Sequence, residues 1–102
     1  MKCRIELHRG AQKELEEAFQ WYEERSTGLG VRFIEAVSEK INEISKFPNR
    51  YAKRSAEFRE VSTNIFPYIL IYEFLSKEKI VFISYIFHGK KNPELKYRRK
   101  RM

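Results

Sequence analysis

His88 is the side chain in this sequence best suited to proton transfer. An imidazole with an ordinary pKa of about 6.5 works as a general acid or base near neutrality, and this one precedes Gly89, Lys90 and Lys91. Arg59 and Tyr97 are the other groups of useful type: a guanidinium to neutralise developing negative charge, a phenol to carry a proton. Each has a structural reading beside the chemical one. A histidine at a strand end also orders the following turn by hydrogen bonding. Arg59 falls within a predicted strand, where it either pairs with an acid such as Glu73 or adds to a cationic surface. His8 reads as a solvent-facing strand residue. Glu14, Glu16 and Glu17 have no accompanying His or Asp set, so no metal site is expected, and no cofactor motif appears. Cys3, the only cysteine, excludes an internal disulfide.

The remaining candidate chemistry is charge. The chain carries a formal +7 in 102 residues, which favours polyanions or acidic proteins as partners. The charge is uneven. Residues 1–45 are net −2, 46–59 net +4, 60–87 net −1 and 88–102 net +6. The cations therefore lie in a loop region (Arg50, Lys53, Arg54) and in a tail (Lys90, Lys91, Arg98, Arg99). They are either two solvated basic stretches or, if the fold joins them, one electropositive surface.

The elements that must position these groups follow from periodicity. Residues 2–8 alternate, with Cys3, Ile5 and Leu7 on one side, as in a half-buried strand. Ala11, Leu15, Ala18, Phe19 and Tyr22 form the apolar stripe of a helix over 11–26, after a break at Gly10. Trp21 lies off that stripe, either covering the helix edge or offered to a partner. Thr27-Gly28-Leu29-Gly30 is a turn. A second helix over 30–47 carries Phe33, Ile34, Val37, Ile41 and Ile44, and Pro48 stops it. The basic loop 49–56 leads into strands at 57–62, 66–75 and 80–87. The order β-α-α-β-β-β gives an α+β fold, with a helical hairpin on one face of an antiparallel sheet. One domain spans 1–102, with 93–102 as a basic tail. The last two strands are apolar on both faces, so the face away from the hairpin needs a cover: the tail, a second copy or a partner. No apolar run approaches the ~20 residues that span a bilayer and no signal peptide is present, so a cytoplasmic protein is expected.

Several short pieces now line up in one order: Ala11, Leu15 and Ala18; Trp21-Tyr22-Glu23; Gly28-Leu29-Gly30 with Arg32-Phe33; Pro48 with Tyr51; Phe58-Arg59; Phe66-Pro67-Tyr68 and Tyr72; His88 and Asn92-Pro93. In this arrangement the chain resembles the RelE/ParE toxin superfamily of bacterial toxin–antitoxin pairs, and within it the ParE-like, plasmid-stabilisation branch. The resemblance implies a small toxin neutralised by a co-encoded antitoxin, with a homodimer or a toxin–antitoxin hetero-oligomer as the expected assembly. ParE-like members are known for poisoning DNA gyrase. RelE-like members are ribosome-dependent mRNA endonucleases.

The RelE-like pattern places an arginine directly after the aromatic that opens the third strand of that fold. Here the aromatic is Tyr68 and Ile69 follows it. Lysines ahead of the second strand fall near Ser55 and Glu57. An arginine after the last strand is matched by Lys91, which keeps charge but loses the bidentate fork, and Tyr97 matches the tyrosine beyond it. The first expectation is therefore a binding toxin aimed at DNA gyrase, using Arg50, Lys53, Arg54, Lys90, Lys91, Arg98 and Arg99 against its target. Trp21, Tyr68, Tyr72 and Tyr85 are expected to meet the antitoxin. The alternative is a nuclease acting on ribosome and mRNA through Arg59, His88, Lys91 and Tyr97. A third is a non-toxic remnant that only binds its antitoxin.

Overall fold

The computed structural model describes residues 2–90 and Arg99. The chain runs β1 (Arg4–Leu7), α1 (Arg9–Arg25), α2 (Leu29–Lys46), β2 (Lys53–Ser55), β3 (Phe58–Ser62), β4 (Tyr68–Leu75) and β5 (Ile80–His88). This is the expected α+β order with one addition, the three-residue β2 cut from the basic loop. The five strands form one sheet in the order β1-β5-β4-β3-β2. Pairing is antiparallel except between β1 and β5, which run parallel from Arg4↔Ile80 to Leu7↔Ile83. The antiparallel sheet expected from sequence holds at three of the four pairings; at the fourth, the last strand returns beside β1 in the same direction, as strands separated by a long connection can.

The helices begin one to two residues earlier than their apolar stripes suggest. His8 is the N-cap of α1 rather than a solvent-facing strand residue, its Nδ1 accepting the Gly10 N–H at 2.8 Å. Gly10 thus lies inside the first turn and does not break the element. The turn between helices is built from one carboxylate. Glu23 accepts the Gly28 N–H at 2.8 Å and the Gly30 N–H at 2.9 Å, so the end of α1 caps the start of α2. Gly28 supplies the positive φ of 89° at the α2 N-cap. Gly30 packs so closely that an added Cβ would lie 2.7 Å from the Phe19 carbonyl oxygen.

The hairpin buries Ala11, Ala18 and Tyr22 from α1 and Phe33, Val37 and Ile44 from α2 against Val61, Leu70, Tyr72, Val81, Ile83 and Ile86 of the sheet. The opposite face carries a second cluster of Phe58, Ile71, Tyr85 and Phe87, with Ile69 beside it. These side chains are buried within the single chain. Both faces of the double-faced apolar strands thus carry buried side chains. A bulge at Ile71–Tyr72 leaves Ser84 as the extra residue of β5, its hydroxyl buried without a hydrogen-bond partner among the described residues.

Candidate functional site

A groove of about 500 Å³ opens between α1 and the sheet. Helix α1 contributes Glu14, Glu17, Ala18, Trp21 and Tyr22; the entry to β4 contributes Pro67 and Tyr68; the end of β5 contributes Ile86, Phe87 and His88. Its floor is aromatic. The Tyr22 ring lies 5.2 Å from Phe33, 4.9 Å from Phe66 and 6.1 Å from Tyr68. Burial raises the Tyr22 hydroxyl above its ordinary pKa. Burial does the same to Tyr68, helped by Tyr22 and the Glu14 carboxylate. Both phenols therefore remain neutral donors at physiological pH. Trp21 forms the rim. It is 50% exposed, with the Arg25 guanidinium 4.1 Å from its ring centre. An exposed, amphipathic tryptophan 5.1 Å from the buried Tyr22 ring is the composition of a protein-docking hot spot.

At the far end, His88 faces Tyr68 across the β4–β5 register, with ring centres 5.6 Å apart. Its Nδ1 accepts the Lys90 N–H at 3.1 Å, and the Gly89 N–H bonds the Pro67 carbonyl at 2.8 Å. His88 thus orders the turn that leaves β5.

Beyond the end of β1, the upper half of β5 has no strand on that side among the described residues, and an ion pair takes the place of one. Glu14 Oε1 accepts the Ile86 N–H at 3.0 Å, and Arg99 Nη1 donates to the Ser84 carbonyl at 2.9 Å and to Glu14 at 2.8 Å. Arg99 also lies 4.2 Å over the Tyr85 ring. Arg99, grouped by sequence with the solvated tail cations, is instead bonded into the sheet edge. Nothing in its sequence context distinguished it from Arg98, which lies outside the described residues with Lys91 and Tyr97.

The other anticipated residues separate. Arg59 shares a face with Tyr72, and its Nη1 and Nη2 donate to the Tyr51 carbonyl at 2.6 Å and to Asn49 at 3.0 Å. It ties down the loop after α2; Glu73, the expected acid, is not the partner of either bond. From the strand registers, Arg59 and His88 lie roughly 16 Å apart, two strands across and four residues along. They do not converge on one phosphate. Ile69, at the position where a nuclease of the resembled type carries a cation, packs on the second apolar cluster. Tyr72 is fully buried, donates to the Pro48 carbonyl at 2.8 Å, and has its pKa pushed up to about 12 by burial. Tyr85 is 6% exposed beneath Arg99. Of the four aromatics expected to meet a partner, Trp21 and Tyr68 line the groove, whereas Tyr72 and Tyr85 are core.

The basic loop is a corner of its own. Arg50 pairs with Glu43 at 2.6 Å and stacks on Phe47; Lys53 pairs with Glu57 at 2.9 Å; Arg54 is exposed. Lys53 and the His88–Lys90 turn are roughly 20 Å apart by strand count and register, so these described cations do not join into one surface. Among the described residues no three His, Cys, Asp or Glu side chains are grouped to hold a metal, and no helix is long and apolar enough to cross a membrane.

This two-helix, five-stranded arrangement is that of the RelE and ParE toxins. The chain is similar to the chromosomal ParDE system of P. aeruginosa (TM-score 0.68, 16% identity, covering 85% of this chain and 96% of that one). It is also similar to the intact E. coli RelBE complex (0.65, 18%, 87% and 99%) and to RelBE2 of Mycobacterium tuberculosis (0.61, 19%, 86% and 99%). No curated protein matches it. The family profile for the ParE toxin of the type II toxin–antitoxin system parDE matches residues 5–93, and the chain belongs to that family.

Proposed function

We propose that this ParE-family toxin acts by binding rather than by chemistry, that its target is DNA gyrase, and that its co-encoded antitoxin docks in the Trp21 groove. The observation that carries the reading is Ile69. The position that needs a cation for phosphoryl transfer is an aliphatic side chain against an apolar cluster, and the two described polar candidates, Arg59 and His88, are too far apart to share a phosphate. The target-facing set is Arg50, Lys53, Arg54, Lys90, Lys91 and Arg98; Arg99 leaves it because Glu14 and the β5 edge hold it. Trp21 and Tyr68 are the antitoxin contacts. A cytoplasmic site of action follows from that target.

The test is induction of the protein without antitoxin in a bacterial host, following growth, DNA-damage response and mRNA integrity together. Growth arrest with a DNA-damage signal and intact mRNA is expected. Translation-dependent mRNA cleavage that disappears in Tyr97→Phe would replace this reading with the nuclease. Unimpaired growth with soluble, folded protein would leave an antitoxin-binding remnant.

A further inference from the structure

The turn joining β3 to β4 holds an isoleucine in a conformation that isoleucine avoids. Ile65 has φ of +73°, in the left-handed region where a β-branched side chain crowds the backbone. The Phe66 N–H donates to the Asn64 carbonyl, two residues back, at 2.7 Å. Ile65 is therefore the centre of a γ-turn of the rare, strained hand. Its side chain makes no compensating burial: at 86% exposed it is the most exposed large hydrophobic residue among those described.

Its neighbours explain how the strain is held. Thr63 is buried, and its hydroxyl donates to the Phe66 carbonyl at 2.8 Å. Asn64 donates to Glu39 of α2 at 3.2 Å. Phe66 is buried between the rings of Tyr22 and Phe33. The residues on both sides are fixed to the core, and the apex between them projects a bare aliphatic side chain. Two residues on, Pro67 lines the Trp21 groove.

We infer that Ile65 is a binding anchor, inserting into an apolar hollow of the antitoxin segment that leaves the groove over Pro67. The inference rests on the groove being the antitoxin site. Glycine or asparagine would occupy this φ without strain; isoleucine adds only apolar area offered outward. That area is uncharged and lies two residues from Pro67 of the groove, and the adjacent Asn64 is engaged with Glu39 at 3.2 Å. A hydrocarbon surface is therefore the chemistry of its partner.

The full-length toxin and its Ile65→Asn and Ile65→Leu variants would be titrated with the protein encoded by the adjoining reading frame, beside Trp21→Ala. Ile65→Asn should unfold at the same or higher urea concentration, yet bind about tenfold or more weakly, as for an aliphatic anchor lost from an apolar hollow. Ile65→Leu should stay within about threefold, because the buried hydrocarbon is nearly conserved. If Ile65→Asn binds like wild type while Trp21→Ala is weakened, the anchor is refuted and the groove stands. If wild type fails to bind that protein, both readings fall. A change in the toxin's own oligomeric state, with antitoxin affinity unchanged, would assign Ile65 to a second copy and overturn the inference. Should Ile65→Asn fail to fold, the strain argument is wrong, and Ile65→Gly checks that result independently.

Discussion

Replacing Glu23 by alanine should loosen the hairpin that carries the docking groove. The Glu23 carboxylate accepts two backbone N–H groups, at 2.8 Å and 2.9 Å, from Gly28 and Gly30. A hydrogen bond to a charged group contributes about 1.5–3 kcal/mol when partly shielded, and an anion at a helix N-terminus adds about 0.3–1 kcal/mol. Glu23 is half-buried, and water replaces part of what is lost, so the lower ends apply and the expected loss is about 2–3 kcal/mol. For a domain of this size, whose total stability is on the order of 5–15 kcal/mol, that is a large fraction. Urea unfolding should show it as a lower midpoint at unchanged slope. Glu23→Gln keeps one oxygen acceptor and loses the charge, so its loss should be about half as large. Antitoxin binding should weaken in Glu23→Ala as well, because Trp21 and Tyr22 sit in the same last turns of α1. A loss below about 0.5 kcal/mol, the scale of ordinary surface substitutions, would refute the capping argument.

Gly30→Ala should destabilise by about 2 kcal/mol or more, since its Cβ would meet a backbone oxygen that cannot swing aside; thermal unfolding of the variant checks this. Glu14→Ala removes the acceptor of the Ile86 N–H and leaves Arg99 without its carboxylate, a loss of about 2 kcal/mol. Amide exchange should quicken at Ile86 while Ile83 remains protected, and unchanged Ile86 exchange would contradict the edge role. Tyr72 ionises at about pH 10 when unfolded and at about 12 when folded. Its contribution is full below pH 10 and is lost as pH rises through 12, by about 2–3 kcal/mol. Tyr72→Phe should lose that alkaline slope, and parallel slopes in both chains would count against it. The Tyr51 hydroxyl bond, with Lys40 and Arg50, holds Glu43 below its ordinary pKa. Its contribution is present above the unfolded value of 4.5 and is lost as pH falls through the lower folded value, so Glu43→Gln should show a flatter acid limb in pH-dependent unfolding.

The helical hairpin and the three long antiparallel strand segments are legible in the sequence because each has its own periodicity. Strand β2 is not, since its three residues are all exposed and exist as a strand only through pairing with β3. The parallel β1–β5 pairing is equally silent, because register between distant segments leaves no local trace. Within the site, Trp21 could be read as a partner contact because it falls off the apolar stripe of α1. Tyr72 and Tyr85 misled for the opposite reason: in a strand buried on both faces, alternation no longer separates core from surface. The bonds of Glu14 and Glu23 left no mark in the sequence, since a carboxylate reaching for backbone N–H groups carries the same letter as one in water. Ile65 gave no signal at all; its strain is visible only in the dihedral.

The β1–β5 pairing also orders the life of the nascent chain. Among the described residues the first strand's only sheet neighbour is the last strand made, and synthesis advances at about 5–20 residues per second. The hairpin ends at Lys46 and β5 at His88, so for roughly 2–8 s at that pace the apolar stripes of both helices exist without the sheet that covers them. The groove shares this delay, because Ile86, Phe87 and His88 form one of its walls. A ribosome stalled before β5 therefore carries a chain with an exposed helical hairpin and an unfinished groove, and a partner that reads the groove, as proposed for the antitoxin, meets it only when the sheet is complete.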